Sequence, residues 1–340
     1  MSKDFTICVG MVGGGVFYSR DGGETWTMSV IKVPVPPWAP WIRIRYIDVD
    51  PTNDAHMLAG SDVGIYRSTD RGATWTHVPS PADDGYIHVW SVKFHPDDPN
   101  VIYLGLAPGA LWRSKDNGAT WEDLKAPVEP RCVVGSTHIT DIAFDPRDHR
   151  IVWASIEASG IMRSEDGGDT WVHLPPPGPT PQAQDIHGMV VLPDGKLLCA
   201  TPNGVWTSTD QGQTYSVHEL PIEWPPEPAA VAVGVKTYCR GMGQKEDDPA
   251  TVFVCTGDYV PGKTGGIQYS TDAGVTWQPA HLSQEPNSTV YLMSTHRANP
   301  ERMVAASNYG YVYVSEDGGR NWTKLPREFG EIRGLCWVPN

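Results

Sequence analysis

Residues 19–26 read Ser-Arg-Asp-Gly-Gly-Glu-Thr-Trp, and close copies of this phrase return six more times along the 340-residue chain. Successive copies are 44 to 62 residues apart, a spacing typical of one four-stranded unit. A repeat of this period predicts an array of similar supersecondary units. The seven copies span Ser19 to Trp26, Ser68 to Trp75, Ser114 to Trp121, Ser164 to Trp171, Ser208 to Tyr215, Ser270 to Trp277 and Ser315 to Trp322.

Each residue type in the phrase has a physical role in a tight hairpin corner. Ser and Asp side chains can hydrogen-bond the backbone of their own turn, and Gly accepts a positive φ at low cost. The final Trp provides a large apolar anchor for the corner. Tyr215 replaces this Trp in one copy, and Asn321 replaces the Thr in another.

The phrase resembles the Asp-box, or BNR repeat, of the sialidase-like superfamily. The resemblance covers the whole chain through its seven copies and implies a β-propeller. It also implies that the boxes are structural, because in that superfamily they lie on the face opposite the active site.

The two ends of the chain complete the ring. An apolar run, Phe5–Val9, opens the sequence, and another, Leu335–Val338, closes it. If both ends share one blade, blade 1 consists of residues 1–30 plus 331–340 and no sheet edge stays open. The sequence therefore predicts an all-β, single-domain, seven-bladed propeller over residues 1–340, with four-stranded antiparallel blades.

Bulk properties exclude some partners. The formal net charge of −14 argues against nucleic acid or an anionic membrane as a partner. We find no signal-peptide pattern and no membrane-spanning stretch, so a cytoplasmic location is expected. The six cysteines show no CxxC spacing, and the sequence leaves the oligomeric state open.

Alignment of the predicted inner strands separates a packing position from variable neighbours. The packing position is always β-branched: Ile44, Val89, Ile139, Ile186, Val290 and Ile332. Because the residues on either side differ from blade to blade and are mostly polar, they predict a pocket at the face where inner strands begin. The segment around Cys239 resists alignment. The preceding residues are Arg43, His88, His138, Asp185, Thr289 and Glu331, and the following ones are Arg45, Trp90, Thr140, His187, Tyr291 and Arg333.

Loops predicted on the same face add candidate binding residues. Trp38 and Trp41 lie in a proline-rich connection, where exposed indoles suit stacking on sugar rings. The longest repeat inserts Asp258 and Tyr259 into a loop that we interpret as a lid.

Three histidines form the first chemical constellation. His88, His138 and His187 come from successive blades at similar height, a pattern typical of an open site for Zn, Mn, Mg or Ca. Glu157 or Asp185 could complete such a site. Alternatively, the histidines could exchange protons as acid and base without a metal.

Arginines and tyrosines form the second constellation: Arg43, Arg45, Arg240 and Arg333 with Tyr238, Tyr291 and Glu331. Guanidinium groups bind carboxylate or phosphate in a bidentate manner. The set is similar to the sialidase pocket, and this resemblance implies a Tyr291–Glu331 nucleophilic pair with Asp62 as the acid. Sialidases, however, have six blades and an Arg-Ile-Pro element that this chain only loosely echoes at Arg43–Arg45.

Together these patterns favour a hydrolase or lyase that acts on a polar, carboxylate-bearing small molecule or oligosaccharide. Two alternatives stay open. One is a retaining glycosidase of sialidase-like type, and the other is a non-enzymatic binding or assembly scaffold, since fold alone does not settle function.

Overall fold

A computed structural model describes residues 4–32, 42–83, 86–133, 135–220 and 237–340. Within these ranges the chain is almost entirely β-structure, with one short helix, α1 (Pro181–Gln184). The first sixteen strands are β1 (Phe5–Met11), β2 (Gly15–Ser19), β3 (Thr27–Met28), β4 (Val30–Lys32), β5 (Ile44–Val49), β6 (Met57–Ser61), β7 (Gly64–Ser68), β8 (Thr74–Val78), β9 (His88–Phe94), β10 (Ile102–Ala107), β11 (Ala110–Ser114), β12 (Glu122–Asp123), β13 (Arg131–Cys132), β14 (Gly135–Ser136), β15 (Ile139–Asp145) and β16 (Asp148–Ile156).

The remaining strands complete the later blades. They are β17 (Gly160–Ser164), β18 (Val172–His173), β19 (Gly188–Val191), β20 (Leu197–Thr201), β21 (Gly204–Ser208), β22 (Ser216–His218), β23 (Tyr238–Lys245), β24 (Asp248–Gly257), β25 (Gly265–Ser270), β26 (Gln278–Pro279), β27 (His281–Leu282), β28 (Val290–Ser294), β29 (Met303–Ser307), β30 (Val312–Ser315), β31 (Asn321–Lys324) and β32 (Ile332–Pro339).

These strands form seven blades around one axis, which confirms the predicted seven-bladed β-propeller. In order, the described blades are β3-β2-β1-β32, β4-β8-β7-β6-β5, β12-β11-β10-β9, β15-β16-β17-β18, β19-β20-β21-β22, β23-β24-β25-β26 and β27-β31-β30-β29-β28. Two blades have a fifth, parallel outer strand, β4 or β27, that the sequence did not predict. The inner strands contact one another in the cyclic order β5, β9, β15, β19, β23, β28 and β32.

Blade 1 joins the two ends of the chain as predicted. Strand β32 pairs antiparallel with β1 from Phe5 opposite Pro339 to Met11 opposite Ile332. The C-terminal strand is therefore the innermost strand of the first blade, and ladder hydrogen bonds hold the ring closed.

The core lies between the blades. Each pair of neighbouring blades in the described chain encloses one cluster of buried apolar side chains. Trp153, which is fully buried, packs in the cluster between blades 4 and 5. Stability thus depends on blade-to-blade contacts all around the ring.

The Asp-boxes form the corners between third and fourth strands, as the fourth copy illustrates. The Asp166 carboxylate accepts hydrogen bonds from Ser164 Oγ (2.8 Å), Thr170 N (2.8 Å) and Thr170 Oγ1 (2.7 Å). Ser164 Oγ in turn accepts the Gly168 N–H at 2.7 Å, and Trp171 Nε1 donates to Gly168 O at 2.9 Å. The box residues therefore satisfy one another's hydrogen-bonding groups.

The two departures from the phrase have different outcomes. Asn321 Nδ2 donates to Asp317 Oδ2 at 2.6 Å and so replaces the usual Thr hydroxyl. The Tyr215 hydroxyl has no hydrogen-bond partner among the described residues, so that corner lacks the bond that Trp171 makes.

These corners predict a loss of stability in acid. Hydrogen bonds from the box threonines lower the pKa of Asp166, Asp210 and Asp272 from an ordinary 3.8 to about 2. Because the folded chain binds these protons more weakly than the unfolded chain, their stabilising contribution is complete above about pH 4 and is lost as pH falls towards 2. We expect the melting temperature, followed by circular dichroism, to fall steeply between those values.

A triple variant with Asn at these three positions provides the control. It should melt lower at neutral pH and show a shallower acid dependence, because the titrating carboxylates are gone. A melting temperature that stays constant in the parent protein from pH 5 to pH 2.5 would contradict the prediction.

No helix in the described ranges is long and apolar enough to cross a bilayer.

Candidate functional site

The strand registers show which end of the propeller carries the boxes. In blade 2, Val49 at the end of β5 lies opposite Met57, and Met57 lies opposite the box residue Ser68. Ile44, at the start of β5, pairs with Ser61 at the other end of β6. The boxes therefore lie at the face where the inner strands end.

A β-bulge follows the packing position in six of the seven inner strands, all of which are described. In blade 2, for example, the register jumps from Ile44 to Tyr46 and leaves Arg45 as the extra residue. Because a bulge redirects side chains and often lies near functional sites, this position is suited to present side chains to the axis. The residues at or within the six bulges are Arg45, Trp90, Thr140, Arg240, Tyr291 and Arg333.

The bulges also place the blade that the sequence could not align. In blade 6 the register jumps from Cys239 to Met242, so buried Cys239 takes the packing position and Arg240 follows it. In blade 5, His187 occupies the equivalent position just before β19, and its backbone N–H donates to Ala200 O at 2.9 Å.

These seven side chains, called here the bulge layer, surround a central cavity of about 450 Å³. This volume is typical of small-molecule sites. The lining continues towards the box face, where it includes the exposed residues Glu246 and Arg297. The sequence placed the pocket at the opposite face, among residues on both sides of the packing position. The residues that follow the packing position line the cavity, whereas those that precede it do not: Arg43, His88, His138, Asp185, Tyr238, Thr289 and Glu331.

Tyr291 lies between two guanidinium groups. The Cζ atoms of Arg240 and Arg333 are 4.3 Å and 4.2 Å from the centre of its ring, which is the range of cation–π contacts. Arg333 Nη1 also contacts the phenol oxygen, and Arg333 Nε donates to Glu331 Oε1 at 2.6 Å. Arg333 therefore bridges Tyr291 and Glu331, whereas the sequence treated these two as a directly coupled pair.

Three buried donors in the bulge layer have no hydrogen-bond partner among the described residues: Arg45 Nε, Trp90 Nε1 and Arg240 Nε. Neither Arg45 nor Arg240 forms an ion pair with a described carboxylate, and Arg45 Cζ lies 4.7 Å from the centre of the Trp90 ring. Burial lowers the pKa of Arg45. Since buried donors are normally paired, this layer is chemically suited to bind a ligand that carries oxygen acceptors.

The three histidines occupy separate environments. His138 stacks on Trp90 with ring centres 3.8 Å apart, and its Nδ1 lies in close contact with Glu157 Oε2 without hydrogen-bond geometry. His187 contacts Cys239 O at 2.6 Å through Nδ1 and Asp185 at 3.1 Å through Nε2. Both of its ring nitrogens are therefore engaged by the protein.

Burial, reinforced by the charge of Arg45, lowers the pKa of His88. The pKa of Asp185 is also lowered, because His187 and Arg240 outweigh the opposing effect of burial. Across the described residues, no three His, Cys, Asp or Glu side chains converge to hold a metal ion. The histidine trio is thus not the shared centre that the sequence placed here, and metal binding stays a prediction.

Other predicted site residues make local contacts away from the cavity. Asp62 accepts the Arg43 N–H at 2.9 Å, and Asp258 accepts the Lys263 N–H at 3.0 Å within its own loop. Tyr259 packs on Tyr238 with ring centres 5.9 Å apart. Trp38 and Trp41 lie outside the described residues.

Sequence reasoning missed the polar residues that line the cavity below the bulge layer, among them Tyr46, Asp48, Lys93 and Asp141. Plain alternation gave no signal for them, because all four lie two or four residues after a packing position and would be expected on the packing face. The bulge in each strand turns them towards the axis instead.

Family comparisons agree with this fold. The BNR/Asp-box repeat matches residues 17–28 and 268–279, and the family described as Sortilin, neurotensin receptor 3 matches residues 63–159. A comparison with curated protein sequences finds no significant match. Together with the observed blades, these matches confirm a seven-bladed propeller with Asp-box repeats.

Solved structures with similar folds serve different purposes. An ancestral GH74 enzyme aligns with a TM-score of 0.62 and 14% identity over 87% of this chain, which spans 38% of that enzyme. YCF48 bound to D1 peptide aligns with a TM-score of 0.60 and 16% identity, over 93% of this chain and 88% of that one. A chain of the mitotic checkpoint complex aligns with a TM-score of 0.60 and 9% identity, over 86% and 80%. At these identities the similarity shows the fold alone.

Proposed function

We propose that the protein is a hydrolase or lyase that binds a carboxylate-bearing small molecule or oligosaccharide in the central cavity. The observation that carries this proposal is the set of unpartnered buried donors on Arg45, Trp90 and Arg240. A carboxylate that accepts these bonds would also compensate two guanidinium charges that lack described ion-pair partners.

Cavity residues could also serve the chemistry. The Tyr291 phenol, held between Arg240 and Arg333, lies where an anionic group would bind and can exchange a proton with it. His187 contacts the Cys239 carbonyl and Asp185 through its two ring nitrogens, which fixes the orientation of its ring in the cavity lining. The fold similarity to a GH74 enzyme supports a carbohydrate-related substrate by analogy of architecture.

Calorimetric titration with matched anions and neutral analogues tests the proposal. We expect D-glucuronate to bind and D-glucose, which has the same ring without the carboxylate, to bind at least about tenfold more weakly. Equal affinity for the two sugars, or no binding of any carboxylate, would overturn the assignment.

The sialidase-like alternative makes a different demand on Glu331. Because Arg333 bridges Tyr291 and Glu331, a sialidase-like mechanism would need Glu331 to influence the Tyr291 phenol through the Arg333 guanidinium. Turnover of chromogenic glycosides that disappears in both Tyr291→Phe and Glu331→Gln would support it, and normal rates in both variants would reject it.

The scaffold alternative is favoured by size. YCF48 bound to D1 peptide has nearly the same extent as this chain, whereas the GH74 enzyme is much longer. A stoichiometric protein partner recovered by affinity purification would support this version. Metal content of protein purified without chelator would test the histidine prediction independently.

A further inference from the structure

The cavity contains a second polar layer between the arginines and the box face. It is formed by Tyr46 and Asp48 of blade 2, Lys93 of blade 3 and Asp141 of blade 4. These four residues come from three adjacent inner strands, so they form one continuous side of the cavity, called here the polar wall.

The polar wall is an interconnected network. Lys93 Nζ lies 3.3 Å from Asp48 Oδ1 and 5.1 Å from the centre of the Tyr46 ring. The Tyr46 hydroxyl lies 3.3 Å from Asp141 Oδ1. The network thus presents an ammonium, a phenol and two carboxylates within a few ångströms of one another.

Backbone groups fix the two carboxylates in place. Asp48 Oδ2 accepts the Phe94 N–H at 2.9 Å, and Asp141 Oδ1 accepts the Ile142 N–H at 2.9 Å. Burial raises the pKa of Asp141 even though the Lys93 ammonium opposes this shift. Despite burial, Asp48, Tyr46 and Asp141 raise the pKa of Lys93 well above its ordinary value, so the ammonium stays charged.

The opposite side of the cavity carries four apolar side chains, with the polar residues Ser294, Thr295, Glu246 and Arg297 at the end nearest the box face. Met189 of blade 5, Met242 of blade 6, Met293 of blade 7 and Leu335 of blade 1 contribute to it. A ligand in this part of the cavity therefore meets hydrogen-bonding groups on one side and thioether or aliphatic groups on the other.

We infer that the ligand is a polyhydroxylated carboxylate such as a sugar acid, with its hydroxyl groups on the polar wall and its C–H face against the methionines. This inference rests on the proposed function, which places the carboxylate at the arginines. Hydroxyl groups both donate and accept, so they can bond to Lys93 and to the two aspartates together. A purely apolar carboxylate would displace water from these charged groups without replacing its hydrogen bonds, which is costly.

Three probes of similar size test the inference by calorimetry: D-glucuronate, D-glucose and cyclohexanecarboxylate. We expect D-glucuronate to bind at least about tenfold more tightly than either of the others, because only it satisfies both ends of the cavity. If cyclohexanecarboxylate binds as tightly as D-glucuronate, the polar wall is not a hydroxyl site, although the proposed anion site stands. If neither carboxylate binds, the proposed function itself fails and the inference falls with it.

Two conservative variants locate the hydroxyl contacts. Tyr46→Phe and Asp141→Asn should each weaken D-glucuronate binding about tenfold, the loss expected for one hydrogen bond, while leaving cyclohexanecarboxylate binding unchanged. Tyr309→Phe makes the same chemical change as Tyr46→Phe at a surface residue that is 46% exposed, and it should alter neither affinity. Melting temperatures confirm that each variant is folded. Unchanged D-glucuronate affinity in both folded cavity variants would overturn the inference.

Discussion

We expect Arg240→Leu to weaken D-glucuronate binding by about 2–5 kcal/mol, or roughly 30-fold to 5,000-fold, because it removes one side of a desolvated charge pair. Arg240 lines the cavity, contacts the Tyr291 ring and has a buried Nε without a described partner. No described carboxylate forms an ion pair with it, although its charge contributes to the lowered pKa of Asp185. Because His187 still contacts Asp185 in this variant, we expect the melting temperature without ligand to fall only modestly while the calorimetric affinity falls strongly.

Arg150→Leu is the matched control for this experiment. Arg150 is 75% exposed and pairs with Asp148 on the surface, so the same loss of charge there should leave D-glucuronate affinity unchanged. Equal weakening by both variants would mean that net charge, not the cavity, determines binding. Full affinity in Arg240→Leu would remove Arg240 from the site.

Deleting residues 332–340 should abolish cooperative folding. The deletion removes all of β32, including the buried side chains of Ile332, Trp337 and Val338, and exposes the edge of β1. Loss of a single buried large side chain already costs about 3–5 kcal/mol, whereas a whole domain is stable by only about 5–15 kcal/mol. Near-ultraviolet circular dichroism and size-exclusion chromatography would report the loss of the folded ring.

Removing Asn340 alone serves as the control for this deletion. Asn340 contacts Thr6 at 2.6 Å and the Arg20 carbonyl at 2.7 Å at the end of the ladder, so its loss should lower the melting temperature only modestly. A synthetic peptide of residues 331–340 should partly restore the truncated protein, because the native closure is made by non-covalent contacts. A cooperative melt of the truncated chain without peptide would show that six complete blades suffice.

The repeated box made the blade count and the closure of the ring predictable from sequence. Each box satisfies its own hydrogen bonds locally, as Ser164 and Asp166 show, so its meaning does not depend on distant contacts. The alternation in the inner strands also identified Arg45, Trp90, His187, Tyr291 and Arg333, which the structure brings to one cavity.

The rest of the site depends on features that a repeat pattern does not encode. Bulges determine which neighbour of the packing position reaches the axis. Cys239 occupies the packing position of blade 6, but it is not β-branched, so the sequence pattern does not reveal it. His138 and His187 lie at similar height in the aligned strands, but each contacts its own partner, Glu157 for His138 and the Cys239 carbonyl for His187. The polar wall depends on how far the cavity extends towards the box face, which only the packed inner strands reveal.

Because each bulge separates a residue that faces the axis from the one that packs the blade, the two are free to change independently. Substitution at Arg45 alters the lining while Ile44 keeps the neighbouring blades together. New specificities could therefore arise one blade at a time, with little cost to the scaffold that carries them.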